Sequence, residues 1–329
     1  MFVASLPSPS IPNPKSQILN PSQIMRHLLT LLDVTADEIR RIFALTEDLK
    51  AKFENGVREP LLPGRVMALM FEKQSLRTRV SFQAGMAHLG GASMMLGDDV
   101  GFGKRERIDD FTRVLSQFVD VIVVRAKQHE TVAGVAQHAD CSVINGLTDL
   151  AHPCQALADL FTLRERLGTL DGAKLAWVGD ANNVVRSLAV GCAHLGMELS
   201  VATPQGYDFP AAFLQSLREQ WPEAQLTLTR DPHEAVRGAA AVYTDVWASM
   251  GQEKEQAQRR RDFADYQVNQ PLMASAPDEA LFMHCLPAHR GEEVTDEVID
   301  GPRSIVVQQA ANRMHVQKGI LAWLLGAQS

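Results

Sequence analysis

The stretch Glu72-Lys73-Gln74-Ser75-Leu76-Arg77-Thr78 sets two hydroxyls and a forked guanidinium between an apolar run, Val66–Phe71, and a helix-like segment, Arg79–Leu89. Free backbone N–H groups and the positive end of a helix dipole make such a passage an anion site. Ser75, Arg77 and Thr78 would complete a cradle for a phosphate dianion. The plainer alternative is a capping serine beside surface arginines. The stretch is not a P-loop, because the G-x-x-x-x-G-K-[ST] spacing is absent.

Other reactive side chains recur at the ends of apolar runs. Arg125 closes DVIVVR, His152-Pro153-Cys154-Gln155 follows Cys141–Asn145, and Asn182-Asn183 follows KLAWVGD. Asp245 ends Ala240–Asp245, and His284-Cys285-Leu286-Pro287 ends Leu281–Cys285. Taken singly, a terminal Arg or His is more often a structural ion pair, and a lone cysteine an inert buried thiol. In parallel α/β sheets, however, ligands bind beyond the carboxyl ends of strands, and this shared location favours function.

The elements that must hold these residues alternate. Short unbroken apolar runs (Val66–Phe71, Asp120–Arg125, Cys141–Asn145) suit strands buried on both faces of a parallel sheet. They alternate with helical spacings over Val34–Phe53, Arg79–Leu89, Arg107–Val119, Glu130–Ala139 and Ala156–Leu167. A second series opens at Lys174–Val178 and continues through Asn183–Leu195, Glu198–Ala202, Phe209–Trp221, Leu226–Thr229, Ala240–Asp245 and Leu281–Cys285. Asn312–Leu325 is a final helix carrying Arg313 and His315 near its start. Strands alternating with helices imply right-handed crossovers. The fold class is therefore α/β, with two doubly wound parallel-sheet domains and a cleft between them. The expected division is a flexible extension over 1–24, a first domain of 25–155 plus 308–329, and a second of 156–307. Gln252–Gln270, with Arg259-Arg260-Arg261, reads as a solvated loop and helix.

The 329 residues allow two cores of ordinary size. A net charge of −7 argues against a general nucleic-acid or membrane-surface binder. No apolar run approaches the roughly 20 residues of a spanning helix. Four cysteines without C-x-x-C pairing point to a reduced, cytoplasmic setting. Gly179-Asp180-Ala181-Asn182-Asn183 lacks the G-x-G-x-x-G glycines of a dinucleotide enzyme.

From about Met25 onward the chain resembles the aspartate/ornithine carbamoyltransferase family, and its ornithine branch most. FEKQSLRTR is similar to the family's F-x-x-x-S-T-R-T-R, and His152–Gln155 to HPCQ or HPTQ. Asp245-Val246-Trp247-Ala248-Ser249-Met250-Gly251 resembles the ornithine-branch D-x-x-x-S-M-G loop, as does His284–Pro287, continued by Ala288-His289-Arg290-Gly291, its HCLP element. Separate elements in the right order make the match specific. The resemblance implies transfer of the carbamoyl group of carbamoyl phosphate to L-ornithine, giving L-citrulline and phosphate, with no metal and no cofactor. It implies that Ser75, Leu76, Arg77 and Thr78 hold the phosphate and that Arg125, His152 and Thr78 face the carbamoyl oxygen. Gln155 and the Leu286 carbonyl, beside Cys285, would take the carbamoyl NH₂, and Arg313 adds positive charge. Asp245, Ser249 and Cys285 would bind and position the attacking amine, with Asn183 and Met250 at the α-carbon end.

Two departures stand out. Leu76 replaces the family's second-position Thr. The segment that in the family's trimers reaches a neighbour's phosphate offers Gly101, leaving Lys104 or Arg105 to substitute. The implied partners are the two small substrates and further copies of the chain, as a homotrimer, with neither nucleic acid nor membrane. The competing readings are an N-acyl-ornithine carbamoyltransferase and an inactive binding subunit. The first lacks a matching D-x-x-x-S-M-G loop, and the second would have lost Arg77, Arg125, His152 or Cys285.

Overall fold

The computed structural model describes residues 26–97, 100, 102, 105–248 and 253–326. Ser249, Met250, Gly251, Gly101, Lys104 and the first 24 residues lie outside them. In chain order the first half comprises α1 (Ala36–Glu54), β1 (Val66–Phe71), α2 (Leu76–His88), β2 (Ala92–Leu96), α3 (Ile108–Leu115), β3 (Val121–Arg125), α4 (His129–His138) and β4 (Ser142–Leu147). Helix α5 (Pro153–Leu167) leads to β5 (Lys174–Val178), α6 (Asn183–Leu195), β6 (Glu198–Ala202), α7 (Ala211–Gln220), β7 (Leu226–Thr229), α8 (Pro232–Val236) and β8 (Ala241–Thr244). Then come α9 (Gln256–Asp262), α10 (Gln270–Met273), β9 (Leu281–His284), α11 (Asp296–Ile299) and α12 (Val306–Leu325).

The strands form two all-parallel sheets, one in the order β2-β1-β3-β4 and one in the order β7-β6-β5-β8-β9. The apolar runs are strands for the reason their composition suggests: every residue of β3 is buried, as are the four middle residues of β1. Chain direction reverses across each sheet between β1 and β3 and between β5 and β8. Crevices at the carboxyl ends of strands open at such switch points. One apolar cluster spans both sheets, with Phe43 of α1, Phe161 of α5, Trp177 of β5 and Tyr243 of β8 in the same body. The far face of each sheet is covered by its own cluster.

Several expectations change. β2 (ASMML) is absent from the sequence reading because it is an edge strand, half exposed and interrupted by Ser93. It follows a turn that requires glycine: Gly90 has φ +80°, and a Cβ on Gly91 would lie 2.4 Å from the Met86 methyl and 3.0 Å from the Arg65 carbonyl. Helix α2 begins at Leu76, three residues before its apolar face, because Ser75 caps it by accepting from the Thr78 N–H at 3.4 Å. Helix α12 begins at Val306, so Arg313 lies two turns inside it rather than at its start. The Arg259-Arg260-Arg261 segment is not wholly solvated. Arg259 is buried, and its Nη1 lies 2.7 Å from Asp180 Oδ2.

Helix α12 crosses the backs of α1, α2 and α5. Its close approach to α1 depends on Gly319, where a Cβ would fall 2.2 Å from Thr46 Oγ1 and 2.8 Å from the Ile42 carbonyl. One turn away His315 is buried edge-on against Phe53, with ring centroids 5.1 Å apart, and its Nδ1 has no partner. Burial pushes its pKa down to about 3, and Lys318, Lys50, His88 and Arg58 oppose its charge further. The unfolded chain therefore takes up a proton near the ordinary value of 6.5 while the folded one does not, so stability falls as pH drops from about 6.5 toward about 3. The ceiling is about 1.4 kcal/mol per pH unit for one such group. His315→Asn should flatten this fall, read as the change in urea midpoint across that window. Equal slopes in the two proteins would show that His315 does not contribute.

Candidate active site

A single cavity of about 1220 Å³ opens at the carboxyl ends of both sheets. Its walls bring together Ser75, Leu76, Arg77 and Thr78 from the β1–α2 passage, Arg125 from the end of β3, and His152 and Gln155 from the start of α5. The opposite wall supplies Asn182 and Asn183 after β5, Asp245 after β8, and Cys285 and Leu286 after β9, while Arg313 arrives from α12. Every described residue of the expected site thus faces one space. Ser249 and Met250 lie outside the described residues, and so does Lys104.

The first wall is built on a buried hydroxyl. Thr78 Oγ1 is 2.8 Å from Arg313 Nη2, 3.0 Å from Ser75 Oγ and 3.5 Å from Arg125 Nη1. Arg125 and Arg313 are almost fully buried, and the Nε of each lacks a partner. With Arg77 they form three guanidinium groups in mutual range, and among the described residues none is ion-paired to a carboxylate. Burial, then the charges of Arg313 and Arg77, push Arg125 down to about 10, so it stays protonated at neutral pH. Burial likewise lowers Arg313, with Arg77 adding to the effect. Buried charges are costly unless paired. A cluster of three beside a helix N-terminus therefore calls for a multiply charged anion.

His152 lies at the edge of this cluster as the residue preceding α5, its backbone N–H donating to Ser187 Oγ at 2.9 Å. Burial and the neighbouring Arg313 and Arg125 hold its pKa well below 6.5, so the ring is neutral, and Nδ1 has no partner. Gln155 is tied into the cluster as well as lining the cavity. Its Oε1 accepts from Arg313 Nη1 and its Nε2 donates to Asp159, so the carbonyl assigned to a ligand NH₂ already serves a guanidinium. A second lone pair of that oxygen remains for a ligand.

The second wall centres on Asp245. Its Oδ1 accepts from the Cys285 thiol at 3.0 Å and from the Val246 N–H at 2.8 Å, and its Oδ2 from Asn182 Nδ2 at 2.9 Å. Burial, together with Asp245, drives the Cys285 pKa well up, so the sulfur is a protonated donor rather than a thiolate. Asn182, not the adjacent Asn183, holds Asp245. As the cap of α6, Asn182 turns its Oδ1 to the Val184 and Val185 N–H groups and its Nδ2 to the carboxylate. Asn183 Nδ2 donates to the Thr148 carbonyl at 2.5 Å, bridging the two walls. Asp245, His284 and Cys285 bring metal-ligating atoms within 4.8 Å of one another. However, His284 Nδ1 accepts the Leu286 N–H and Nε2 faces Glu293 Oε1, so the ring offers no free nitrogen.

Beneath the segment that follows Asp245, Arg259 donates to the Trp247 carbonyl at 2.9 Å as well as pairing with Asp180. Neither Arg259 nor Asp159 was anticipated from the sequence. The first sits in a run that reads as exposed, but the second leaves a signal as the one charged residue within Ala156–Leu163 of α5, four residues after Gln155.

Comparison with known proteins gives the same picture. Residues 26–165 match the family model described as "Aspartate/ornithine carbamoyltransferase, carbamoyl-P binding domain", and residues 171–324 match its "Asp/Orn binding domain". The chain is 49% identical over 305 residues to the ornithine carbamoyltransferase of Carboxydothermus hydrogenoformans, spanning 92% of this chain and 98% of that one. It is 48% identical over 303 residues to the protein of the same name from Bacillus subtilis, spanning 91% and 94%. Among solved structures it resembles ornithine carbamoyltransferase from Pyrococcus furiosus, with a TM-score of 0.89 and 46% identity over 92% of this chain and 98% of that one.

If the guanidinium cluster is the anion site, inorganic phosphate will stabilise the fold. At about 100 times its Kd the gain is about 2.7 kcal/mol. Arg77→Ala should remove most of the corresponding rise in Tm. An undiminished rise would put the anion elsewhere.

Proposed function

The chain belongs to the aspartate/ornithine carbamoyltransferase family, and we propose that it transfers the carbamoyl group of carbamoyl phosphate to the side-chain amine of L-ornithine, releasing L-citrulline and phosphate. The observation that carries this reading is the pairing of two unlike walls in one cavity. Three unneutralised guanidinium groups lie on one side, and a carboxylate hydrogen-bonded to a protonated thiol lies on the other.

Ser75, the Leu76 N–H, Arg77 and Thr78 hold the phosphate at the start of α2. Leu76 gives up a hydroxyl contact but keeps the backbone donor, and its side chain is exposed. Arg125, the neutral His152 ring and the Thr78 hydroxyl face the carbamoyl oxygen, where negative charge grows as the amine attacks. Asp245 and Cys285 receive the amino group of ornithine, with Asn183, Ser249 and Met250 toward its α-carbon end. The amine nitrogen bonds to the carbamoyl carbon, the bond from that carbon to the phosphate oxygen breaks, and the departing phosphate accepts a proton. No covalent enzyme intermediate forms, and holding both substrates in line supplies much of the rate. Arg313 balances charge on the transferred group, and Gln155 and the Leu286 carbonyl accept from its NH₂.

The proposed division keeps 25–155 plus 308–329 as the carbamoyl-phosphate domain and 156–307 as the ornithine domain, whereas the family models divide the chain between residues 165 and 171. The four cysteines are unpaired, which suits a reducing cytoplasm, and no described helix is long and apolar enough to cross a membrane. The citrulline formed suits arginine synthesis. We read the functional unit as a homotrimer; among the described residues the unpaired edge of β2 and its exposed Met94 leave a surface for contact between copies.

Citrulline or its analogue should form with ornithine but not with acetylornithine, putrescine or aspartate offered in parallel. Conversion of an acylated ornithine alone would move the chain to the N-acyl branch. Removing a donor to the carbamoyl oxygen, as in His152→Ala, should lower kcat by roughly 10²–10³. A loss below ten-fold would take His152 out of that role.

A further inference from the structure

Asp159 is fully buried in α5 and has no part in the chemistry, yet it is the meeting point of the two walls. Its Oδ1 accepts from Gln155 Nε2 at 2.8 Å and from Gln309 Nε2 at 2.7 Å, and its Oδ2 accepts from the Tyr243 hydroxyl at 3.0 Å. The donors come from α5, α12 and β8, and all are neutral. A carboxylate placed in a core with no cation in direct contact is costly, so three converging neutral donors mark a polar group retained for something other than packing.

An amide side chain has one donating end and one accepting end. With its Nε2 held at Asp159, Gln155 presents Oε1 to Arg313 Nη1, and Arg313 Nη2 reaches Thr78 Oγ1. With its Nε2 held at the same oxygen, Gln309 presents Oε1 to the backbone N–H of His284 at 3.0 Å, one residue before Cys285. Turning either amide over would set N–H against N–H. A single acceptor thus fixes the polarity of two chains of hydrogen bonds, one ending in the guanidinium cluster and the other at the strand end that carries Cys285.

We propose that Asp159 is a positioning residue that orients the Gln155 and Gln309 amides, and through them sets Arg313 for the carbamoyl-phosphate half and the His284–Cys285 strand end for the ornithine half. The inference rests on the assignment of those halves above. The groups facing Asp159 are Tyr243 from β8, Gln155 on its own helix, Gln309 and Arg313 from α12, and Cys285 beyond β9. Burial raises the carboxyl to about 6, and the glutamines, Tyr243 and Arg313 pull against that rise. It is therefore ionised at neutral pH, and a proton arriving below about 6 would confront a donor at either oxygen.

Asp159→Ala removes the acceptor. Asp159→Asn keeps it, because an amide oxygen at the Oδ1 position still receives both glutamines while its NH₂ faces the Tyr243 hydroxyl, which can accept. In the folded Asp159→Ala protein the KM values for carbamoyl phosphate and for ornithine should each rise by about ten-fold or more, the consequence of leaving buried amide donors unpaired. Asp159→Asn should stay within about three-fold of the parent in both KM values near neutrality. Wild-type KM values in folded Asp159→Ala would overturn the proposal, as would an Asp159→Asn protein that is equally impaired.

If Asp159→Ala does not fold, Gln309→Leu tests one arm alone. The ornithine KM should rise while protection by inorganic phosphate persists, and an unchanged ornithine KM would overturn the proposal. A parent protein that makes no citrulline would instead defeat the functional assignment itself.

Discussion

A cluster of three guanidinium groups, two of them held on one threonine hydroxyl, is the constraint to which the remaining parts of this molecule answer. Thr78 Oγ1 takes contacts from Ser75, Arg125 and Arg313, which arrive from the β1–α2 passage, the end of β3 and the middle of α12. Like charges at this range repel, and burial weakens the solvation that would relieve them, as the lowered pKa of Arg125 records. Arg125 and Arg313 keep hydrogen bonds to Thr78 and Gln155, which offset part of that cost, while α2 adds no carboxylate in its first turn to neutralise the cluster. The same balance leaves the site short of negative charge, which is the condition for holding a dianion firmly and for stabilising the charge that grows on a neighbouring carbonyl oxygen.

Parallel topology does the gathering. In each sheet the two strands flanking the reversal of direction release their polar residues at the same end, so Thr78 and Arg125 come from one pair and Asn182 and Asp245 from the other. Helices α5 and α12 then hold the sheets in register. Their facing residues are a polar seam of Gln155, Asp159, Gln309 and Asn312 within otherwise apolar packing. Apolar contacts alone would leave helices free to shift by small amounts. Hydrogen bonds with defined donors and acceptors do not permit that shift without loss.

How much of this could be read from residues alone varied with how local the cause was. VIVVR and KLAWV declared themselves as strands because both faces of each are covered, which leaves an unbroken apolar run. ASMML did not, because an edge strand needs only partial cover and tolerates its serine. Ser75, Arg77, Thr78, Arg125 and His152 were legible because strand ends are where such residues collect. Arg259 was not, since its partner Asp180 lies 79 positions away and the run of three arginines resembles solvent-facing sequence. The division of labour between Asn182 and Asn183 was also hidden. The capping bonds of α6, a matter of backbone direction, decide which amide turns toward Asp245.

Arg313 stands on α12, after every strand of both sheets in chain order. The cationic cluster around Thr78 is therefore unfinished for as long as translation has not delivered that helix to its seat across α1, α2 and α5. A chain still lacking that helix has neither the Arg313 bond to Thr78 nor the one to Gln155, so the cationic wall is completed only after both sheets have emerged. Completion of one wall of the cavity is thereby tied to the synthesis of the wall that faces it.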